Sequence, residues 1–442
     1  MIYLFILFVT LQPPAEEAVV HTDWTGFHGG SKAGVFENDK LPMEWSTTKN
    51  VAWVVDIPGL AWSSPVTWKG KVFLTTVIRD GSSESAADAR KGLYFGGEKS
   101  KAPEQEYTWK VYCLEEETGK VLWEQVAHRG KVDRGKHVKN SYASETPVVD
   151  SERLYVCFGN ICLFTYDHGG KLLWKYAIPS MPTAYSWGPA ASPIVYKDRL
   201  YFVYDNDQSS YILCLDVKTG SQVWKKDRDE KSNWSTPYVW VNDKRTEIVT
   251  AGTKRTRSYD LEGNILWEVG GMSAITVPTP FAADGLLYIS SGYVMDQKKP
   301  LMAIKPGALG DLTTKTDEPD HPSVAWVQRK GASYMPTPIV YRGLCYVLYD
   351  QGFLACYDAQ TGKEVYGKQR FKGKTSGFTA SPWAYQGKVF CLSEDGDCFV
   401  IEAGREFRQL TVNRLEELCM ATPALTERSL LIRTASKLYC IR

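Results

Sequence analysis

The chain has 442 residues, 52 Lys plus Arg against 51 Asp plus Glu, and a formal net charge of +1. That balance leaves no global field to draw in nucleic acid or an anionic membrane surface. A length rule of roughly 150 residues per domain would suggest two or three domains, but an internal repeat overrides it.

Met1 to Leu11 is apolar, then meets Pro13-Pro14 and the run Ala15-Glu-Glu-Ala18. Such a run is too short to span a membrane and resembles the core of a secretory signal, although no Lys or Arg stands at its front. The expectation is a signal peptide over residues 1–18 and an exported, periplasmic or secreted protein with no membrane span; a mis-chosen start is the alternative. Residues 19–49 then form an N-terminal arm. Next, Asn50-Val-Ala-Trp53-Val-Val-Asp56 has the pattern of a blade's closing strand with no blade before it.

Eight Ser/Thr-Pro pairs follow: Ser64-Pro65, Thr146-Pro147, Ser192-Pro193, Thr236-Pro237, Thr279-Pro280, Thr337-Pro338, Ser381-Pro382 and Thr422-Pro423, most of them 41 to 46 residues apart. After each Pro the chain reads strand, turn, strand, turn, strand. In the third copy these are Ile194 to Tyr196, Leu200 to Tyr204 and Ile212 to Leu215, ending in Thr219-Gly-Ser-Gln-Val-Trp224. No stretch sustains a helical period. A sheet of four strands cannot bury both faces alone, so a ring of such sheets is expected. Pro suits the innermost strand, an edge facing the channel, because it lacks an N–H.

The copies end on an aromatic residue set at a blade junction: Trp53, Trp123, Trp174, Trp224, Trp267, Trp326 and Tyr366, while the seventh ends only in Leu410. The eighth copy stops at Leu438-Tyr-Cys-Ile441 and lacks its closing strand. The fold expected is therefore all-β, an eight-bladed β-propeller of four-stranded antiparallel blades over residues 50–442. The strand at 50–56 pairs into the last blade and closes the ring.

Among ten cysteines, Cys113, Cys214, Cys356 and Cys440 fall at one point of their copies and read as small core residues. Cys157 and Cys162 flank Phe158-Gly-Asn-Ile161, and a two-residue turn there would set them opposite each other near disulfide range. Two reduced thiols on a buried face are the alternative. Cys345 with Cys356, and Cys391 with Cys398, are further hairpin candidates.

The segments Glu115-x-x-Thr118-Gly-x-x-x-Trp123, Asp216-x-x-Thr219-Gly-x-x-x-Trp224 and Asp358-x-x-Thr361-Gly-x-x-x-Tyr366 resemble the repeat of pyrroloquinoline-quinone-like (PQQ-like) propellers. That group holds the quinoprotein alcohol dehydrogenases and the outer-membrane assembly lipoprotein BamB. Asp23-Trp-Thr-Gly-Phe-His-Gly-Gly30 and Ile304 to Thr313 resemble exported bacterial members of the group. The resemblance covers residues 22 to 442 and speaks to fold more than to function. In the dehydrogenases it implies a disulfide between adjacent cysteines, a Ca²⁺ site and an Asp base. This chain has no Cys-Cys pair and no Cys-x-x-Cys-His. Asp205-Asn-Asp207 starts like a calcium loop but lacks the Gly and the closing Glu. No catalytic or metal residues are assigned, and PQQ with calcium belongs only to the alternative, a quinone-dependent oxidoreductase.

The leading expectation is a monomeric, non-catalytic binding scaffold for a protein, peptide or glycan partner. Its face is where loops enter the blades. Trp62, Tyr142, Trp187, Trp234, Tyr334 and Phe378 stand at most six residues before their blade's Ser/Thr-Pro, and should converge at the funnel mouth, or merely plug it. The insertion Val77 to Thr108 reaches the same face. So does the basic segment His128 to Lys139, from which Arg129, Lys131 and Arg134 would steer an acidic partner.

Overall fold

The computed structural model describes residues 23–81, 101–314 and 320–442. The expected signal segment and the middle of the Val77 to Thr108 insertion lie outside the described residues. Eight antiparallel sheets of four strands form an eight-bladed propeller, with only two short 3-10 segments, Phe27–Lys32 and Ala184–Ser186, among the described residues. Blades 1 to 8 span 66–131, 148–177, 194–228, 238–270, 281–328, 339–370, 383–414 and 424–441. Val51–Asp56 is the outer strand of blade 8, antiparallel to Lys437–Ile441 with Trp53 opposite Cys440 and Asp56 opposite Lys437. The first propeller strand thus closes the ring and removes an open edge.

The repeat motif holds neighbouring blades together. Asp216 accepts hydrogen bonds from the N–H groups of Lys218 and Thr219, at 3.0 and 2.9 Å, which shapes the turn ahead of Gly220. Gly220 has φ +70°, and a Cβ there would lie 2.5 Å from the Trp174 ring. The blade 2 Trp therefore lies flat on the blade 3 glycine, and its indole N–H donates to Val217 O at 2.9 Å. Trp53, Trp123, Trp224 and Trp326 rest in the same way on Gly119, Gly170, Gly263 and Gly362 of the next blade.

Opposite each closing aromatic stands a small partner strand residue: Cys113 across from Trp123, Cys214 from Trp224, Cys356 from Tyr366 and Cys440 from Trp53. A bulkier side chain there would compete with the ring for space, which accounts for these cysteines by packing alone.

Three blades depart from the packing of a ring on a glycine; in blade 6, Tyr366 meets Phe407 of the next blade edge-on, with ring centroids 6.0 Å apart. Trp267 of blade 4 is fully buried, donates to the Glu247 carboxylate at 2.7 Å, and is covered by the insertion after blade 5's third strand. That insertion lays Gly310–Asp311 parallel against Ile265–Gly270 as a fifth strand. In blade 7 the residue at the closing position is Thr411, opposite Val400; Leu410 is its outward-facing neighbour.

The Cys157–Cys162 bridge does not form. The hairpin turns on three residues rather than two, with Asn160 at φ 65°, so Cys157 pairs with Leu163 and Cys162 with Phe158. A one-residue offset puts the two thiols on opposite faces of the sheet. They pack in different clusters, Cys157 with Leu213 and Cys162 with Val111. The same offset separates Cys345 from Cys356 and Cys391 from Cys398. All ten cysteines are buried thiols.

Residues 23–49 pack across one end of the channel. Trp24 is fully buried and exchanges two 2.8 Å hydrogen bonds with Thr67 of blade 1. Val149 N–H donates to Thr25 O, Ala384 N–H to Gly34 O, and Asn38 Nδ2 to Thr426 O. The arm is thereby tied to blades 1, 2, 7 and 8.

Candidate functional site

The Ser/Thr of each Ser/Thr-Pro pair builds the channel wall. Ser64 N–H donates to Thr146 Oγ1, Thr146 N–H to Ser192 Oγ, and Ser192 N–H to Thr236 Oγ1, at 2.9 to 3.1 Å. Across the ring, Thr279 N–H donates to Thr337 Oγ1, Thr337 N–H to Ser381 Oγ, and Ser381 N–H to Thr422 Oγ1, at 2.9 to 3.0 Å. The hydroxyl thus joins one blade to the next where Pro follows and supplies no N–H. The chain breaks at the two remaining junctions, and the hydroxyls that would close it, Ser64 Oγ and Thr279 Oγ1, are buried without a protein partner. Ser64 opens blade 1 and Thr279 opens blade 5, four blades apart in a ring of eight, so they face each other across the channel.

Above this ring lies a cavity of about 420 Å³, within the ~300–1,000 Å³ typical of small-molecule sites. Seven of the eight Ser/Thr residues line it, Thr337 excepted. Phe27 of the arm also lines it and forms its floor. The walls are aromatic: Trp62, Trp187, Trp234, Tyr293 and Tyr334. Trp187 and Trp234 have ring centroids 5.5 Å apart, and Tyr293 meets Tyr334 edge-on at 5.3 Å. At the rim stand Tyr185, Val294 and Met295, the last 81% exposed.

The Trp187 loop is held before any ligand arrives. Tyr185 and Ser186 sit in the left-handed region, φ 55° and 57°, a conformation disfavoured for such residues unless their surroundings enforce it. Trp187 O accepts from His137 N–H at 3.0 Å and from Asn140 Nδ2 at 2.9 Å, and Trp234 Nε1 donates to Gly188 O at 2.6 Å. An aromatic wall fixed from both sides loses little entropy on binding.

Charge on the wall is sparse. Lys139 reaches blade 7 and pairs at 2.7 Å with the fully buried Glu394, which also accepts from Thr379 Oγ1. Asp350 lines the cavity, and burial pushes its carboxyl pKa up. His137 packs edge-on against Trp187 at 4.7 Å; burial, with Lys139 and Lys136 nearby, pushes its pKa down to about 4, so the ring is neutral. Its Nδ1 accepts the Lys139 N–H at 3.0 Å, which leaves the proton on Nε2.

Of the six aromatics expected at the mouth, the structure brings together Trp62, Trp187, Trp234 and Tyr334. Tyr142 stands elsewhere: at φ 58° its ring turns to Tyr107 and its hydroxyl donates to Arg134 O at 2.9 Å. Phe378 is fully buried, packed with Phe371 and Phe399 at ring centroids 5.3 and 5.9 Å. The basic trio does not flank the cavity either. Arg129 and Lys131 are exposed on the outermost strand of blade 1, and Arg134 donates to Ser180 Oγ at 3.0 Å. Cavity-lining residues that sequence reasoning missed include Phe27, Tyr293 and Asp350. The ring of hydroxyls did have a signal, the Ser or Thr repeated before every Pro.

PQQ and calcium find little on this wall. A quinone bearing carboxylates would meet Asp350, while the lysine present is already matched by Glu394. Among the described residues no arginine lines the cavity, and no three His, Cys, Asp or Glu side chains gather as a metal-binding group.

The family model described as "Outer membrane protein assembly factor BamB" matches residues 108–294. No curated protein matches the chain. Among solved structures it is similar to BamB from Moraxella catarrhalis, at 11% identity and TM-score 0.58, covering 88% of this chain and 96% of that one. It is similar also to the quinohemoprotein alcohol dehydrogenase from Comamonas testosteroni, at 10% identity and TM-score 0.60, covering 95% and 80%. The computationally designed Ika8 protein gives 13% identity and TM-score 0.54 over 87% and 100%. At these identities the likeness concerns the fold.

Proposed function

We propose that this chain, a β-propeller of the PQQ-like repeat family, is an exported, monomeric and non-catalytic scaffold that holds a partner at the aromatic cavity of its loop face. The observation that carries this is the fixed wall of Trp62, Trp187, Trp234 and Tyr334 over an open hollow, in place of packed side chains. Rigid aromatics offer large contact area at small entropic cost to a protein, peptide or glycan. Export is supported by the apolar opening of the chain and by the description of the matching family; no helix among the described residues is long and apolar enough to cross a membrane. The similarity in fold to a quinohemoprotein dehydrogenase keeps one other reading in view, a quinone-dependent oxidoreductase.

The purified protein, incubated with PQQ and Ca²⁺, should take up no quinone and reduce no dye when given alcohols or sugars. Stoichiometric uptake with dye reduction would replace the scaffold reading with the oxidoreductase.

A further inference from the structure

Most polar groups on the cavity wall are already bonded within the protein. The hydroxyls of Thr146, Ser192, Thr236, Ser381 and Thr422 each accept an amide N–H from the neighbouring blade. Asn140 is engaged at both ends of its amide: Nδ2 donates to Trp187 O and Pro189 O at 2.9 and 3.0 Å, and Oδ1 accepts from Ser141 N–H and Ser144 Oγ at 2.7 and 2.8 Å. Ser64 Oγ, Thr279 Oγ1 and the indole N–H groups of Trp62 and Trp187 lie shut away from solvent, so a ligand in the hollow does not meet them.

Two charged residues line the cavity, and only one of them is matched. Lys139 pairs with the buried Glu394 at 2.7 Å. Asp350 is different: among the described residues no side chain bonds its carboxylate, its oxygens are not among the sealed atoms, and the residue is only half-buried, so the carboxylate opens to the hollow that it lines. Burial pushes its pKa up, while Lys139 and Lys299 oppose that shift from a distance. Lys299 is engaged with Val294 O at 3.2 Å, and Lys368, which also feels Asp350, sits 4.0 Å over the Tyr349 ring. His137 is neutral and adds no charge.

The carboxylate stands at one end of an arc of aromatic rings. Burial, with Tyr293 and Asp350 nearby, pushes the Tyr334 hydroxyl pKa up, and burial with Tyr185 nearby does the same at Tyr293, so these four residues are neighbours in turn. Ring centroids continue the arc: Tyr334 to Tyr293 at 5.3 Å, Tyr185 to Trp187 at 5.0 Å and Trp187 to Trp234 at 5.5 Å. Tyr185 is held at the rim by a left-handed backbone, a strain that clusters at ligand clamps. The faces of Trp and Tyr rings carry negative charge density, which draws a cation to within roughly 6 Å of the ring centre.

These features select a ligand class. A purely apolar occupant would cover an unmatched carboxylate, an anion would face it, and a neutral polar ligand would find most of the wall's hydrogen-bonding groups taken. A cation with an apolar body meets both the carboxylate and the rings. From this arrangement we infer that the cavity binds an organic ammonium ion carrying an apolar body, with its charged head between Asp350 and the rings of Tyr293 and Tyr334 and its body along Trp187 and Trp234. This rests on the scaffold reading and names the ligand chemistry of that same cavity. A free amine and a lysine side chain of a peptide both present such a group.

The test uses the full chain, with titration calorimetry and Trp fluorescence. The free cations are benzyltrimethylammonium and phenethylamine, with 2-phenylethanol as the neutral counterpart of the amine and phenylacetate as the anion. The peptide probes are acetyl-Phe-Lys-Phe-amide and its Gln counterpart. At least one cation should bind at millimolar concentration or below, and phenethylamine or the Lys peptide should bind at least tenfold more tightly than its neutral counterpart. Asp350→Asn should weaken the cation at least tenfold, the worth of one charged pair, and leave the neutral probes unchanged. Tyr334→Phe, which keeps the ring, should hold affinity within about twofold, whereas Tyr334→Leu should lower it. Melting curves check that the variants fold. No cation binding at millimolar concentration, or equal binding of cation and neutral counterpart by the wild type, would overturn the inference without reference to any variant; so would wild-type affinity in a folded Asp350→Asn protein. Binding by the free amines alone would assign a small-molecule source, and binding by the Lys peptide alone a peptide one. Should every cation fail while a recovered partner still needs Trp187 and Trp234, the ammonium ligand is wrong and the scaffold reading stands.

Discussion

Trp224 makes two kinds of contact that a truncation would remove together. Its ring covers Gly263, where a Cβ would lie 3.1 Å away, and its N–H donates to Leu261 O at 2.9 Å, so it belongs to blades 3 and 4 at once. Trp224→Ala should cost about 3–5 kcal/mol in denaturant unfolding, through lost burial and a residual cavity. A loss under about 1 kcal/mol would mean that the junction does not depend on it. His28 is a second informative residue. It is buried, its Nε2 lies 2.9 Å from Pro382 O, and burial pushes its pKa down to about 4 despite the opposing carbonyl contact. In the unfolded chain the ring takes up a proton below about 6.5, whereas in the fold it stays neutral until about 4. The unfolded state therefore binds more protons in that window, and stability falls as the pH drops through it, by about 3 kcal/mol in all. His28→Asn, which tolerates the same left-handed backbone, removes this dependence. The stability gap between wild type and variant should shrink as the pH is lowered from 6.5 to 4; a constant gap would contradict the assignment.

At the scale of elements, how far sequence reasoning reaches depends on whether a position is fixed by the repeat. The strands, the Pro on the inner edge and the aromatic closing each blade recur at fixed offsets, so they could be read from one chain. Loop side chains could not. Trp187 and Tyr142 each precede a Ser/Thr-Pro by a similar count, yet one lines the cavity and the other turns to the edge of blade 1, because the left-handed backbone at Tyr142 reverses its direction. Phe378 shared the offset but had Phe371 and Phe399 to pack against. The thiol pairs failed for a related reason: one extra loop residue at Ile161 moves every side chain beyond it to the other sheet face. The hydroxyl ring was visible as a repeated Ser or Thr and went unexplained, since an inter-blade bond of 44 residues' separation, as between Ser192 and Thr236, leaves no local pattern.

For the whole molecule, the ring is as strong as its seam. Blade 8 is completed by Val51–Asp56, with Ile57 N–H donating to Ser436 O at 2.7 Å and Arg442 N–H to Asn50 O at 2.9 Å. The seam is also one of the two junctions where the hydroxyl chain is broken, between Thr422 and Ser64, so the closing strand has more to hold there. Deleting residues 50–58 should lower the melting temperature by on the order of 10 °C and expose an edge that promotes association. An unchanged, monomeric melt would show that the ring closes by other means. The arm completes the molecule at the opposite end of the channel: it ties blades 1, 2, 7 and 8 and sets Phe27 beneath the cavity, so floor and seam are joined by one short stretch of chain.

Whether that cavity is the working site is decided most directly by one affinity. A partner recovered by crosslinking from the native source should be titrated against wild type and against the Trp187→Ala, Trp234→Ala double variant, with folding of the variant checked by its melting curve. Binding should fall by more than a hundredfold, since two fixed walls of the site are lost. Wild-type affinity in a folded double variant would contradict the account and assign the aromatic mouth to packing.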